Sequence, residues 1–584
     1  MTGFIDKFRD RLAEHEALPQ LVVLGIVSGL AASLLIVAFR WLIETPLLLA
    51  FGDNVDDFES LSPLMRFMLP FGGAVLLGTV LTFLDRKHHA VSVAHVLDRL
   101  HNYQGKIPAS NMILQFFGGA LALVTGQSLG REGPSIHLGA GISSLLGQYF
   151  KLPNNSLRTL VACGAAAGIA ASFNTPMAGV IFAMEVILME YTIAGFIPVI
   201  LASVLGAAIS QLVFGADYSF VVVQSQPNIV TELPYLVFSG LVFAVVAAAF
   251  IRLHLLCMAH QHRSTLLRYT IIGLLTGGVA ITLPEILGGG YDTLNLAMSE
   301  RLDLQLLVWI VVAKLIVTAV ATGLGMIGGL IGPTLMIGGC LGAILGLLGN
   351  SLSSGASDPG FYVSLGMVAM MGAVLNAPLA ALVAILELSR SPEIIFPAML
   401  LVVVACLGVQ TVFSYRGIFV EQLRVRGHDL FAEPGKAFLR RVGVRSVMNR
   451  SLHVADSEVT VAAAENIIAS GAIWLVIEDE DAYRLLATAD LARYLEQLKA
   501  SGPEADASVS QSPQSDEDNI DLLSMPAFHF DVALVDSLAS LHEASEAIRS
   551  AGAEALLVIE SVGYTESRPV GVLSRETLAN YYGM

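Results

Sequence analysis

Glu132 is the residue of this sequence best placed to handle an ion. It stands in Ser128-Leu-Gly-Arg-Glu-Gly-Pro134, between long apolar stretches. A charge at mid-bilayer costs about 2.5–3.5 kcal/mol on insertion scales, so an intramembrane carboxylate is a functional candidate by default. Glycine permits close backbone approach, and Pro134 suits the first turn of a helix running through residues 135–146. The free amides and the dipole at such a helix start attract an anion. The Glu132 carboxylate can then act as a tethered anion that fills the site itself and leaves when it is protonated or displaced. A competing reading has Glu132 capping its own helix while Arg131 pairs with an acid elsewhere, and the local sequence does not separate the two.

The surrounding elements must be membrane helices. Of 584 residues 55% are hydrophobic and 14% charged, against roughly 25% charged in soluble domains. Charge-free stretches near the roughly 20 residues that a bilayer requires fall at 17–39, 107–130, 159–184, 191–216 and 359–386. The stretch 315–357 is also charge-free, but it is too long for one crossing. Gly323, Gly325, Gly328, Gly329, Gly332 and Pro333 break it, so it is expected to fold back within the membrane. Backbone interrupted at that depth is tolerated only inside protein or beside water, and such broken helices mark ion and solute sites.

An internal repeat organises these elements. Asn174-Thr-Pro-Met-Ala-Gly-Val-Ile-Phe-Ala-Met-Glu185 matches Asn376-Ala-Pro-Leu-Ala-Ala-Leu-Val-Ala-Ile-Leu-Glu387 at an offset of 202 (376 − 174), with Asn, Pro, Ala and Glu in register. Upstream, Gly130-Arg-Glu-Gly-Pro134 pairs with Gly329-Leu-Ile-Gly-Pro333 at an offset of 199 (329 − 130), and Gly139 and Gly338 keep that spacing. The body is thus two related halves, and a substrate site is expected where they meet.

The charge is unevenly placed. Residues 443–584 hold 8 Lys+Arg against 23 Asp+Glu, a net of −15 within the total of −17. An acidic, water-soluble tail of this kind repels phosphate, which argues against a nucleic-acid partner. The tail's halves each read strand, helix, strand, strand, helix. Helix candidates lie at 459–470 and 537–551, and strands at 474–477, 485–487, 555–559 and 570–573, on either side of a Ser/Pro/acid-rich linker at 501–521. Basic residues after the last span (Arg440, Arg441, Arg445, Arg450) and near the start (Lys7, Arg9, Arg11) put both ends on the cytoplasmic side. The N-terminal residues carry no cleavage-site pattern and read as an amphipathic helix. Cys163, Cys257, Cys340 and Cys406 lie in apolar stretches without metal-ligand spacing and read as small core residues.

Four motifs occur in an order that resembles the CLC chloride channels and anion/proton exchangers: GREGP (130–134), NTPMAGVIFAMEV (174–186), AKLIVTAVATGLGMIGGLIGP (313–333) and GIFVEQLRVRG (417–427). The resemblance covers roughly residues 15–430. It implies a homodimer with one pore per subunit, built from two inverted repeats of tilted, broken α-helices in the lipid bilayer. It also implies that chloride or another small anion is held by helix N-termini and backbone amides. Position by position, Glu132 is similar to the gating glutamate, with Gly130, Arg131 and Gly133 around it. Leu330 and Ile331 are similar to the pore-lining amides, Ile331 replacing the usual Phe. The family's first motif is degraded to Ala90-Val-Ser-Val-Ala94, which puts Val91 at the pore serine unless a one-residue slip puts Ser92 there. Phe419 replaces the pore tyrosine. Loss of two neutral donors, each worth about 0.5–1.5 kcal/mol net, is expected to weaken or re-select the central site.

Exchangers of this family typically carry two consecutive glutamates after the NTPxAG segment, whereas this chain reads Glu185-Val186. Val186 therefore resembles the channels at the proton-transfer position, and passive gated anion conduction is the expectation. An anion/proton antiporter is the alternative, with Glu190 as its inner acid. Glu185 and Glu387 read as structural acids bonding exposed backbone at helix ends. Lys314 is expected to meet a carboxylate or backbone carbonyls, and His137 to be a satisfied core histidine. A divalent-cation transporter would need more intramembrane carboxylates, and an enzyme a nucleophile–base or metal motif, and the sequence has neither. A sensor that no longer conducts is a further possibility.

The tail resembles a pair of CBS domains, modules that in other proteins bind adenine nucleotides. The ribose-binding signature is incomplete in each: Asp490 follows Ala487 rather than a hydroxyl, and Ser574 precedes Thr577 rather than an acid. No other cofactor or metal is expected. The resulting organisation is an N-terminal helix (1–16), a membrane domain (17–430), a connector (431–442), a first CBS domain (443–500), a linker (501–521) and a second CBS domain (522–584).

Overall fold

The apolar stretches fold as helices, and those that are broken within an apolar run break at Gly, Asn or Pro. The structure is a computed structural model that describes residues 12, 18–52, 55–215, 229–352, 357–428, 430, 439–440, 442–479, 482–500, 519–562 and 566–582. Of the expected elements, the helix at 1–16 lies outside the described residues apart from Leu12, as do residues 431–438 and 441 of the connector and 501–518 of the linker. The chain divides into two bodies. One is helical, over Leu18–Phe150 and Leu157–Ala432, and the other comprises the tail together with Lys151–Ser156. Among the described residues eight helices are long and apolar enough to cross a membrane.

The helical body begins with α1 (Leu18–Phe51), α2 (Pro63–Thr82), α3 (Ser92–Asn102), α4 (Ala109–Val124) and α5 (Glu132–Tyr149). The first expected span stopped at the charge of Arg40, but α1 runs through it. Arg40 Nε donates to Glu44 one turn on at 3.0 Å, and its guanidinium stacks 3.7 Å over the Phe214 ring, so neither charge faces lipid alone.

Next come α6 (Asn154–Phe173), α7 (Pro176–Phe182), α8 (Ile193–Phe214), α9 (Ile229–Met258), α10 (Thr265–Ala280), α11 (Tyr291–Met298) and α12 (Leu304–Gly323). The body closes with α13 (Ile331–Leu352), α14 (Pro359–Leu375), α15 (Pro378–Ser389), α16 (Ile395–Leu407) and α17 (Ile418–Val425). Two expected single spans, 159–184 and 359–386, are each two helices. The break falls at the repeat-related Asn174 and Asn376, whose φ angles are +61° and +57°. Asparagine tolerates this left-handed cap, and the Pro two residues on cannot continue the preceding helix. The stretch 315–357 is broken as expected, between α12 and α13.

The halves are inverted repeats that pack alike. A Cβ on Gly139 of α5 would lie 2.1 Å from the Gly164 carbonyl oxygen of α6, and one on Gly338 of α13 would lie 2.3 Å from that of Gly366 in α14. Only glycine allows backbones this close, and such contacts are a main source of helix association in lipid.

The tail is α/β. Its first module contains β1 (Leu452–Asp456), β2 (Glu458–Thr460), α18 (Val461–Ala469), β3 (Trp474–Asp479), β4 (Ala482–Ala487) and α19 (Thr488–Ala500). The second contains β5 (Asn519–Asp521), β6 (Phe530–Asp536), α20 (Leu541–Ala551), β7 (Ala555–Val562), β8 (Glu566–Ser574) and α21 (Arg575–Tyr582). A six-stranded sheet runs β1-β3-β4-β6-β7-β8, with β1–β3 and β6–β7 parallel and β3–β4 and β7–β8 antiparallel, so the modules repeat one topology. The linker expected through residue 521 ends earlier. Ile520 is buried opposite Val459, and that apolar pair draws residues 519–521 into an antiparallel strand with β2. Within this body the Asn154 side chain donates to both oxygens of Glu543, at 3.1 and 3.0 Å.

Candidate functional site

Two glycine loops, one from each repeat, meet in an antiparallel bridge. The Gly130 N–H donates to the Gly329 carbonyl at 2.8 Å, and the Gly329 N–H returns the bond to Gly130 at 2.9 Å. These glycines are repeat mates, so their antiparallel pairing puts a local two-fold axis through the bridge. The Ser128 and Thr318 hydroxyls, 2.9 Å apart, tie α12 to the first loop. The helices α5 and α13 both start at the bridge, with Glu132 and its mate Ile331 as first residues.

Glu132 is fully buried. Its Oε2 accepts the Gly332 N–H at 3.1 Å, and its Oε1 accepts the hydroxyl of Tyr291. The carboxylate of one repeat thus sits on the helix start of the other. Half of the competing reading also holds, since Arg131 Nη1 donates to Glu44 at 2.8 Å. The amide of Gly130 is engaged by the bridge, which leaves its N–H no free valence for a ligand.

Sequence reasoning missed Tyr291, which begins α11 after three glycines. Its ring is held edge-on by Phe173, with centroids 6.3 Å apart, and the Arg131 guanidinium lies 5.8 Å from the ring centroid. Gly290 turns the chain at φ +78°, and a Cβ there would strike Met336 Sδ at 2.0 Å. The fully buried Lys314 donates to the carbonyls of Ile286 at 2.7 Å and Gly288 at 2.8 Å, one of the roles expected of it. The available signal was the run Gly288-Gly289-Gly290-Tyr291, a polar aromatic delivered by a left-handed turn that favours glycine and leaves no room for a Cβ beside Met336.

A cavity of about 200 Å³ adjoins the bridge. Val91, Ser92, Gly133, Leu330, Ile331 and Phe419 line it, as do Arg86, Arg268 and Arg426. Gly130, Arg131 and Glu132 are not on its wall. Both residues of the ambiguous first motif are, so a hydroxyl-bearing residue does border the cavity. Ser92 opens α3 with φ +79°, and its N–H donates to Gln115 Oε1 at 3.0 Å. The three guanidiniums give the cavity a potential that favours anions. His254 bonds Thr322 at 3.0 Å and Gln422 at 2.7 Å on the same wall.

Val186 is buried in a π-helical turn (Ala183–Leu188) and does not line the cavity. Glu185 accepts the amides of Leu379 and Ala380, and Glu387 those of Met177 and Ala178, so both acids bond helix-end backbone as expected. His137 Nε2 bonds His95 Nδ1 at 2.8 Å, but its buried Nδ1 has no partner among the described residues, so it is only half of the satisfied core histidine expected. In the tail, Asp490 pairs with Arg493 at 3.1 Å, and Ser574 Oγ accepts the Thr577 N–H at 3.2 Å. They occupy matching strand-to-helix junctions in the two modules. A tail cavity of about 260 Å³, lined by Ser545, Arg549, Gly552 and Arg575, includes neither.

Inverted repeats whose broken helices start at a shared glycine bridge, with a carboxylate seated on a backbone amide, define a membrane anion transporter rather than an enzyme. The family model described as "Voltage gated chloride channel" matches residues 72–410, and the chain belongs to that family, the CLC proteins. It is 30% identical over 393 residues to a Ralstonia nicotianae protein named as ClcB-like, covering 65% of this chain and 91% of the relative. It is 27% identical over 319 residues to the H(+)/Cl(-) exchange transporter ClcA of Vibrio cholerae, covering 52% and 68%. A solved eukaryotic CLC transporter superposes with a TM-score of 0.57 at 16% identity over 98% of both chains, so the fold likeness extends through the tail. The protein is a multi-pass integral membrane protein of this anion-transporting family.

Proposed function

We propose that the protein exchanges a small anion, chloride first among candidates, for protons across the membrane, and that Glu132 is the gate for which both ions compete. The observation carrying this reading is the Glu132 carboxylate bonded to the Gly332 N–H and the Tyr291 hydroxyl. A carboxylate on those donors occupies an anion's place, and a free anion must displace it. A proton achieves the same release by removing its charge. One group thus answers to both ions, which is the minimum that exchange requires. The Vibrio relative, named as an H(+)/Cl(-) exchanger, supports this reading over passive conduction.

A gated channel is the second reading, favoured by Val186. No acid stands at that position, and both oxygens of neighbouring Glu185 are engaged by amides. Under exchange the inner proton donor is Glu190, whose carboxylate lies 3.9 Å from Arg158. Proteoliposomes loaded with chloride, under a potassium/valinomycin potential and with external pH recorded, separate the two. Proton uptake in fixed ratio to chloride efflux supports exchange, and chloride efflux without proton movement supports the channel.

We further propose a homodimer with both termini cytoplasmic, and a CBS pair at 443–500 and 522–584 that regulates transport. Adenine nucleotide, if bound, would meet Asp490 and Ser574. Titration of the purified protein with ATP and AMP, followed by its thermal midpoint, tests that binding.

A further inference from the structure

We infer that Tyr291 is the side-chain donor of the gate: its phenol holds the Glu132 carboxylate in place and, once that carboxylate leaves, presents its hydroxyl to the anion. The inference rests on the reading of Glu132 as the gate. It starts from a convergence of donors. A Cβ on Gly332 would lie 3.0 Å from Glu132 Oε2 and 3.1 Å from Tyr291 Oη, so the Gly332 amide, the phenol and the carboxylate meet in one small space. An anion that replaced the carboxylate there would be within reach of both donors.

The phenol is built into position. A Cβ on Gly289 would lie 2.8 Å from the Tyr291 ring, so only glycine leaves the ring its place. Lys314 holds the carbonyls of the preceding turn, and the Phe173 ring and the Arg131 guanidinium flank the aromatic ring. Tyr291 belongs to neither repeat motif. Its hydroxyl sits at the Glu132 carboxylate, apart from the cavity wall that Val91, Ser92 and Phe419 form.

The test is anion flux across a pH series in proteoliposomes of wild type, Tyr291→Phe, Glu132→Gln and the double variant. A hydrogen bond to a charged acceptor favours the charged form, so Tyr291→Phe is expected to move half-maximal flux to higher pH by about one to two units. Glu132→Gln should abolish the pH dependence, and adding Tyr291→Phe should then shift nothing. Should Tyr291→Phe not fold, 3-fluorotyrosine at position 291, a stronger donor in the same shape, should move the midpoint the opposite way. An unmoved midpoint in a folded variant, with the pH dependence still lost in Glu132→Gln, overturns the role of Tyr291 alone. Persistence of the pH dependence in Glu132→Gln overturns the gate reading and this inference with it. For the anion, calorimetry on Glu132→Ala should show chloride binding about tenfold tighter than on Glu132→Ala/Tyr291→Phe. Equal affinities there would refute the hydroxyl's contact with the anion.

Discussion

Glu185 and Glu387 cap each other's helices. Glu185 follows α7 and accepts the amides of Leu379 and Ala380 at the start of α15, at 3.1 and 2.7 Å. Glu387 lies in α15 and accepts those of Met177 and Ala178 at the start of α7, both at 2.8 Å. The reciprocity follows from the two-fold relation of the repeats, and it accounts for two acids in an apolar setting. Each neutralises the free amides of a half-helix that begins inside the protein.

Because the caps are equivalent, Glu185→Ala and Glu387→Ala should destabilise the protein by similar amounts, about 1.5–3 kcal/mol each, the scale of hydrogen bonds to a charged group. Thermal unfolding in detergent reads this directly. A loss confined to one variant would contradict the equivalence.

Gly130→Ala should displace the Glu132 carboxylate from its seat. The added Cβ would lie 2.2 Å from Glu132 Oε2 and 2.9 Å from the Gly332 nitrogen, the space the carboxylate occupies. The displaced carboxylate forfeits hydrogen bonds of about 1.5–3 kcal/mol each, and the methyl obstructs the seat beside the Gly332 amide, so flux should lose its pH dependence and chloride affinity should fall about tenfold. A pH profile and chloride affinity unchanged from wild type in a folded variant would show that the carboxylate does not sit where the anion binds.

Lys314→Met should act twice. It leaves the buried carbonyls of Ile286 and Gly288 without their donor, at a cost of about 2 kcal/mol or more. It also loosens the turn that carries Tyr291, so the pH of half-maximal flux should move in the same direction as in Tyr291→Phe, but less. A lower thermal midpoint with an unmoved pH profile would assign Lys314 to stability only.

Glu59 lies in a short turn (Phe58–Ser60) between α1 and α2, outside the spans. Burial, then the negative charge of Asp292, push its carboxyl up to about 8. An acid held protonated in the fold stabilises it below the unfolded value and loses that contribution as pH rises through the raised one. The thermal midpoint of wild type should therefore fall relative to Glu59→Gln between pH 6 and pH 9, by about 1–2 °C. Parallel curves for the two proteins would remove Glu59 from the pH response.

Much of this protein is legible in one dimension, because bilayer length, the exclusion of charge from lipid and the repeat spacing are properties of sequence order. The membrane body, the two halves, the break between α12 and α13, the burial of Glu132 at a helix start and the structural role of Glu185 and Glu387 all follow from them. Where signals were local they misled. The charge of Arg40 hid the length of α1, because its partners Glu44 and Phe214 exist only in the fold. Asn174 and Asn376 broke spans that composition read as continuous, since a single left-handed residue leaves no mark on hydropathy.

Only the tertiary structure decided where the carboxylate goes. Residues 130 to 134 allow Glu132 to cap its own helix or to reach elsewhere, and the choice depends on a bridge between two glycines 199 residues apart in sequence (329 − 130). The same closure brought in Tyr291, whose partner lies 159 residues distant and whose turn is held by a lysine on another helix. Pattern along a chain specifies which groups must be buried, whereas the direction of a buried hydrogen bond is settled by which donor the folded backbone leaves unpaired beside it.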